Sequence, residues 1–276
     1  MTFDDLQTTF RNLRQPWPQA WPGLALVLER CLGRLGHASR RALAAEDRSI
    51  HACMQELAQL IEHDGRSRHA LGQEPAYHNR LHMADALVAL TTLLLLSRED
   101  EPSNTRPSHA EWVAMLAMLG HDYLHDGTIN QSPSQLELRS ADALAPLMAR
   151  HGVAAADRSL VREFILLTDP TKVSASHQRI ASRPFSITDP DCLAVLVQEA
   201  DILASSLPDP GLELTRQLAR EWLPVDEQRA RQVLTQAGRM GFLRFGALFS
   251  SPASRRLGIP AIRADQLASL EAAASA

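Results

Sequence analysis

The chain has 276 residues, of which 45% are hydrophobic and 22% charged, and its formal net charge is -4 at pH 7. These values are typical of a globular protein that can bury a sizeable core, and the lack of an overall basic field disfavours a nucleic-acid partner. The three cysteines, Cys31, Cys53 and Cys192, form no Cys-x-x-Cys pair, which argues against a thiolate zinc site and a disulfide framework.

The amino terminus, MTFDDLQTTF, carries acidic residues where a signal peptide would have basic and then apolar ones. The longest apolar run, Ala86 to Leu96, is too short to span a bilayer. We therefore expect a cytoplasmic protein without a membrane partner. The sequence does not indicate its oligomeric state.

Apolar residues recur mostly at helical spacing, and no alternating run of strand length is rich in Val, Ile and aromatic residues. The prediction is an all-α fold, with one helical domain over 1–276. In chain order, the predicted helices cover 19–35, 40–64, 79–97, 109–123, 134–151, 157–168, 190–206, 211–222, 226–249 and 263–274. Ser97 to Ser108 is predicted to be a surface loop and Ser174 to Pro190 a connection, with Asp189-Pro190 as the start signal of the next helix.

Four of the eleven histidines lie in two short windows, Tyr77 to His82 and Gly120 to Asn130. In each window two histidines are four residues apart, so a continuous helix would project both from one face. The first pair is His78 and His82. The second is His121 and His125, and each pair can direct two imidazoles to one point.

Two aspartates can join these histidines. Asp122 directly follows His121 after an apolar run, and Asp201 lies in a segment that is apolar nearly all round. A buried carboxylate costs several kcal/mol, on the order given by transfer data, unless it is protonated, paired or bound to metal. Two imidazoles and two carboxylates suit Zn, Fe, Mn or a similar divalent ion and leave positions open for water.

Single features of this kind have ordinary explanations. A lone His-Asp dipeptide is more often a surface or capping pair than a metal site. A glutamate near a helix start, such as Glu137, is usually a solvated charge. Thr168 and Asp169 could simply end a helix before Pro170 or could support the site from behind. The combination of both histidine windows with Asp201 is what favours a metal site.

The same residues resemble class I cyclic-nucleotide phosphodiesterases of the HD superfamily over about residues 77–249. The matching segments are Tyr77-His78-Asn79-x-x-His82-x-x-Asp85, His121-Asp122-x-x-His125-x-Gly127-x-x-Asn130, Leu166-Leu167-Thr168-Asp169 and Ala200-Asp201, which are similar to the family's Y-H-N-x-x-H-x-x-D, H-D-x-x-H-x-G-x-x-N, L-A-T-D and A-D motifs. The resemblance implies a phosphodiesterase-like core at about 40–250 with helical extensions at both ends.

The resemblance also implies roles for these residues. The tighter ion, Zn or else Fe or Mn, would be held by His82, His121, Asp122 and Asp201. A second ion, Mg or Mn, would share Asp122, and a hydroxide bridging the two ions would be the nucleophile. His78 would be the general acid for the departing 3′ oxygen. The residues implied to orient water and phosphate are His125, Asn130 and Glu137.

The base-binding part of the family pattern is altered. The family's Asn-Pro after the A-D pair is replaced by Ala204 and Ser205, and Arg239 stands where a glutamine grips the purine. The predicted helix 226–249 would place Gln236, Arg239 and Phe242 on one face lining a base pocket, which Tyr77 would border. Gln236 could instead perform the recognition after a local shift, with Arg239 exposed to solvent.

The sequence therefore predicts a metal-dependent hydrolase that converts a 3′,5′-cyclic nucleotide, a small-molecule partner, to the 5′-nucleotide. A phosphohydrolase acting on another nucleotide or phosphoester is the alternative within the superfamily. A non-catalytic nucleotide-sensing module and a helical interaction scaffold are alternatives from other classes.

Overall fold

A computed structural model describes residues 2–36, 43–99 and 108–275. The all-α prediction is confirmed, because these residues contain fourteen α-helices and one π-helix and no strand. The α-helices are α1 (Phe3–Arg14), α2 (Leu24–Arg34), α3 (Ala45–Ala70), α4 (Arg80–Arg98), α5 (His109–Gly120), α6 (Gln135–Arg150), α7 (Ala155–Leu167), α8 (Pro170–Ile180), α9 (Pro190–Ser206), α10 (Pro208–Trp222), α11 (Glu227–Val233), α12 (Gln236–Gly241), α13 (Pro252–Arg256) and α14 (Ile259–Ser275), and the π-helix is Phe242–Gly246.

Helix α4 lies at the centre of the protein and packs against α1, α2, α5 and α9. Almost every residue of α4 is buried, and α5 is buried from Glu111 to Gly120. By length and composition alone α4 could cross a membrane, but 94% of that window is buried inside the protein. Its apolar character is therefore accounted for by the core, where a helix surrounded by others is hydrophobic on every side.

Three helices lie where none was predicted, namely α1, α8 and the five-residue α13. Helix α1 is stabilised by a capping box, in which the Thr2 hydroxyl accepts from the Asp5 amide and the Asp5 carboxylate accepts from the Thr2 amide. The predicted connection Ser174 to Pro190 is wrong over its first part, because α8 continues to Ile180. Asp169-Pro170 starts α8 with the same cap and first-turn proline that were recognised, correctly, at Asp189-Pro190.

The predicted helix 226–249 is also wrong as a single element. It consists of α11, α12 and the π-helix, with Thr235 in extended conformation between the first two. A Cβ on Gly238 would lie 2.1 Å from the carbonyl oxygen of Gln232, so glycine permits this close turn. In the predicted loop Ser97 to Ser108, α4 continues to Arg98, and residues 100–107 lie outside the described residues.

Candidate active site

Three elements bring together the four proposed metal ligands. His82 lies in the first turn of α4, His121 and Asp122 follow the end of α5, and Asp201 lies on α9. The His82 Nε2 atom is 3.3 Å from His121 Nε2, 3.3 Å from Asp122 Oδ2 and 3.2 Å from Asp201 Oδ1. The His121 Nε2 atom is 3.2 Å from the same Asp122 oxygen and 3.3 Å from the same Asp201 oxygen. Two nitrogen and two oxygen atoms thus surround one point.

The spacing of these donor atoms fits a divalent ion. Atoms about 3.3 Å apart can all lie about 2 Å from a common centre, which is the length of a Zn–N or Zn–O bond. The His82 and His121 side chains are 3% and 1% exposed, whereas Asp122 and Asp201 keep 15% and 19% exposure. The cluster therefore opens to solvent on its carboxylate side, where water or substrate could reach an ion.

Hydrogen bonding prepares His121 for this role. Its Nδ1 donates to the carbonyl oxygen of Met118 at 2.6 Å, which directs the lone pair of Nε2 towards the cluster.

Burial disfavours the charged form of His82, but its hydrogen bonds to Asp122 and Asp201 outweigh that effect and raise the pKa of His82 to about 9. Protons on these imidazoles would be released when an ion binds.

The carboxylates respond in the opposite direction. Burial alone would raise the pKa of Asp122, yet the charges of His121 and His78 hold it well below its usual range. The pKa of Asp201 is lowered in the same way, mainly by His121 acting against burial. Both groups are therefore ionised, as metal ligands must be.

The histidine pairs do not project from continuous helices. Asn79 is the N-cap of α4 and accepts from the amides of Leu81 and His82, so His78 precedes the helix. Helix α5 ends at Gly120, and Leu124 takes a left-handed conformation with φ 63° before His125. These two turns bring His78 and His125 together, and their rings stack with centroids 3.8 Å apart.

His78 is held by Glu221, a residue that the sequence analysis missed. One Glu221 oxygen accepts from the backbone amides of Tyr77 and His78 at 2.7 and 2.9 Å, and the other contacts His78 Nδ1. Burial opposes protonation of His78, but the charges of Glu221 and Asp122 outweigh it and raise the pKa of His78. His78 Nε2 can therefore carry a proton that is not used by Glu221.

A sequence signal for Glu221 exists. It falls seven residues after Leu214, which is buried, so it continues the apolar face of α10, where a carboxylate needs a partner. The sequence does not indicate that this partner is His78.

His125 is neutral and oriented by its own loop. Its Nδ1 accepts from the Gly127 amide at 3.0 Å, so Nε2 bears the proton. Burial, followed by the charge of His78, lowers the pKa of His125 to about 4. Gly127 has φ 79°, and a Cβ there would lie 3.1 Å from Cγ of Glu221, which makes glycine important at this contact.

Asn130 and Glu137 form a pair at the start of α6. The Asn130 amide nitrogen donates to both Glu137 oxygens at 3.1 and 3.0 Å, and its oxygen accepts from the Leu136 amide at 2.7 Å. Burial, more than any other cause, raises the pKa of Glu137. The side-chain amide of Asn130 is thus hydrogen-bonded to Glu137 and Leu136, and it orients the Glu137 carboxylate.

Asp169 starts α8, rather than ending a helix, and also contacts the residue that precedes α6. It caps α8 by accepting from the Thr171 amide, and its other oxygen accepts from the amide and hydroxyl of Ser134 at 2.7 and 2.8 Å. Ser134 has φ 56° and immediately precedes α6, which carries Glu137. Thr168 ends α7, with its hydroxyl bound to the carbonyl oxygen of Ile165.

Tyr77 is buried beside the cluster. Its ring centroid lies 4.9 Å from that of His82, and its hydroxyl forms a 2.8 Å hydrogen bond with Ser205 Oγ. Burial raises the pKa of the Tyr77 phenol, so it remains neutral. Ser205, one of the two departures from the family's Asn-Pro, thereby supports the wall of the site.

Arg239 and Gln236 are engaged inside the protein, which does not favour the base-pocket hypothesis. Arg239 is 6% exposed and donates to the carbonyl oxygens of Ser205 and Leu207 at 2.7 and 3.0 Å and to Gln266 at 2.8 Å. The alternative of a solvent-exposed Arg239 is wrong, because its guanidinium caps the end of α9. Gln236 donates to the carbonyl oxygen of Leu270. A nucleobase would have to displace these bonds.

Phe242 accompanies Arg239. The guanidinium carbon lies 5.5 Å from the centroid of the Phe242 ring, which is partly buried. The three residues follow one another at the predicted spacing, but Arg239 contacts the end of α9 and Gln236 contacts α14.

Comparison with known proteins identifies the fold. The chain is similar to the solved structure of LmjPDEB1, a Leishmania class I phosphodiesterase, in complex with IBMX, with a TM-score of 0.66 over 95% of this chain and 91% of that one. Sequence identity is 14%, so the likeness shows the fold alone. No protein-family model and no curated protein sequence matches the chain. The chain thus has the all-helical fold of a cyclic-nucleotide phosphodiesterase catalytic domain.

Proposed function

We propose that this protein is a metal-dependent phosphodiesterase that hydrolyses a 3′,5′-cyclic nucleotide to the 5′-nucleotide. The observation that carries the proposal is the convergence of His82, His121, Asp122 and Asp201, whose donor atoms lie 3.2–3.3 Å apart in five of their six pairings. The fold shared with a phosphodiesterase supports the same conclusion.

The ligand set suits Zn, Fe or Mn at the tight position, with Mg or Mn as a second ion in contact with Asp122. Two such ions would activate a water molecule for in-line attack and neutralise the phosphoryl oxygens. Asp122 would be the carboxylate shared by the two ions, and the charges of His121 and His78, which hold its pKa low, support that role.

His78 would supply the proton that the reaction requires. As water adds to phosphorus, the bond from phosphorus to the 3′ oxygen breaks, and His78 Nε2–H protonates the departing alkoxide. Glu221 stabilises the imidazolium through Nδ1 and fixes its direction through two backbone amides. The products are a free 3′ hydroxyl and a 5′-monophosphate.

The remaining polar residues would position water and phosphate. His125, with Nε2–H available, can donate to a phosphoryl oxygen, and it stacks on His78 with the ring planes 26° apart. Glu137 would accept from a water molecule, held in place by Asn130. Tyr77 contributes a buried wall behind His82.

The substrate could instead be another nucleotide or phosphoester. One observation favours this second candidate. Arg239 aligns with the glutamine that binds the purine in the family, but its guanidinium donates to carbonyl oxygens at the end of α9. A nucleotide-sensing module without turnover would retain the cluster but would not need the bond between Glu221 and His78.

The test is turnover of a panel of cyclic nucleotides and simple phosphoesters by protein loaded with Zn, Mn or Mg. We expect a cyclic nucleotide to give the 5′-monophosphate with at least one ion combination. Metal binding without turnover of any cyclic nucleotide, but with hydrolysis of another phosphoester, would establish the second candidate. Metal binding without any turnover would leave a sensing module.

A further inference from the structure

A buried ion pair lies one helical turn from the proposed metal ligand His82 on α4. Arg14, the last residue of α1, binds Asp85 of α4 with both guanidinium nitrogens, at 2.9 and 2.5 Å. Their side chains are 13% and 1% exposed. Asp85 follows His82 by three residues on α4, so the two side chains share one face of the helix, one turn apart.

Stability alone is a weak reason for such a pair. Replacing a buried ion pair by apolar residues of similar volume is often neutral or stabilising, because desolvation offsets the attraction between the charges. Asp85 is 1% exposed and its neighbours Met83, Ala84 and Ala86 are apolar and buried, so its charge is largely removed from water. Another role for the charge of Asp85 therefore has to be considered.

A carboxylate close to a ligating imidazole has a known physical effect. Its negative charge raises the basicity of the imidazole, and loss of a hydrogen-bonded carboxylate partner typically weakens metal binding by about 10-fold to 100-fold. The charges of Asp85 and His82 interact in this way without a direct hydrogen bond. In a buried site the field of Asp85 is poorly screened by water. Burial raises the pKa of Asp85, and the bidentate contact with Arg14 opposes that effect and fixes the position of the carboxylate.

We propose that Asp85, held by Arg14, is a positioning residue for His82, so that the amino-terminal helix α1 forms part of the metal site. This inference rests on the proposed role of His82 as a metal ligand. Helix α1 would then not only extend the core but also affect the affinity of the site for the ion.

The protein offers a matched control pair on the same helix. Arg98, the last residue of α4, binds Glu111 of α5 with two guanidinium nitrogens, one of them at 2.5 Å, and these side chains are 13% and 0% exposed. The pair is as buried as Arg14 and Asp85, but it lies about 24 Å from His82 along α4. A general effect of removing a buried pair would be equal at both places.

The experiment compares the double variants Arg14→Met/Asp85→Leu and Arg98→Met/Glu111→Leu with wild type. The dissociation constant for Mn²⁺ is measured by electron paramagnetic resonance, and the Tm of the metal-free protein is measured in parallel. We expect similar Tm values for the two double variants. The Kd for Mn²⁺ should rise about 10-fold or more only in Arg14→Met/Asp85→Leu.

Equal Mn²⁺ affinity in both double variants would overturn the proposal and leave Arg14 and Asp85 as a docking contact for α1. If the Arg14→Met/Asp85→Leu chain does not fold, the single variant Asp85→Asn keeps the size of the side chain, and an unchanged Kd there refutes the proposal equally. Absence of Mn²⁺ binding by wild type would refute the metal site itself and this inference with it.

Discussion

Glu221 holds both the backbone and the side chain of His78 with one carboxylate, although the two residues are 143 positions apart in the chain. A charged partner of this kind stabilises imidazolium and raises the pKa of His78. Loss of the Glu221 charge should therefore change the pH range over which His78 can donate a proton, and it removes no proposed metal ligand.

The first prediction concerns Glu221→Gln. A general acid acts in its protonated form, so activity falls as pH rises through its pKa. Removing the charge of Glu221 lowers that pKa, and the alkaline limb of kcat/KM should move to lower pH. Metal content by elemental analysis should remain that of wild type. An unmoved alkaline limb would show that another group donates the proton.

The second prediction is that His121→Ala and Asp122→Ala each lose bound metal and turnover. Each change removes one proposed ligand and leaves the buried His82 and the partly exposed Asp201 with an incomplete ligand set. Elemental analysis and turnover are the measurements, with His69→Ala as control because His69 is 53% exposed and belongs to no proposed site. Wild-type metal content in both variants would rule out the assigned centre.

The third prediction separates proton donation from metal binding. His78→Ala should retain metal but lose turnover, most strongly with substrates whose leaving oxygen is a poor leaving group. An activated aryl phosphodiester needs no protonation and should be affected least. Rates for both substrate types are compared at matched metal loading. Equal losses on both would assign His78 a different role.

The fourth prediction concerns Arg239. Because its guanidinium caps α9, Arg239→Met should reduce stability by about 2–4 kcal/mol, as expected when several buried charged hydrogen bonds are lost. Arg239→Gln should leave the ratio of kcat/KM for cyclic AMP and cyclic GMP unchanged.

The control for Arg239 is Arg244→Met, since Arg244 is 44% exposed and pairs with Glu271 at the surface. Denaturant unfolding and the two kcat/KM values test both parts of this prediction. A shift of the ratio towards cyclic AMP in Arg239→Gln would restore the base-pocket hypothesis.

The fifth prediction is a pH dependence of stability at His109. This residue joins three helices, with Nδ1 2.7 Å from Asp47 and Nε2 2.9 Å from Asp157. Burial would lower the pKa of His109, but the hydrogen bonds to the two aspartates outweigh it and raise the pKa. The stabilisation is complete below the unfolded pKa of about 6.5 and is lost as pH rises through the folded value.

The measurement for His109 is Tm against pH for wild type and His109→Gln. The wild type should have the higher Tm below about pH 6.5, and the difference should shrink at higher pH. Because the other histidines titrate in both proteins, the difference isolates His109. A difference that is constant with pH would contradict the prediction.

The sequence by itself determined the all-α class and the residues that meet in the cluster. Helical spacing of apolar residues is a local property, so α4, α5 and α9 could be predicted from their own segments. His82, His121, Asp122 and Asp201 stood out because a buried ionisable group needs a partner, and that requirement can be read without knowing where the partner lies.

The tertiary structure decided the partners. Glu221 and Arg14 lie on helices far in sequence from His78 and Asp85, and which faces of α10 and α1 meet those residues depends on how the helices pack. Arg239 shows the same limit, because its spacing from Gln236 and Phe242 was compatible with a base pocket until the packing of α14 and the end of α9 supplied other acceptors. Periodicity defines the face of a helix, but only packing defines what that face contacts.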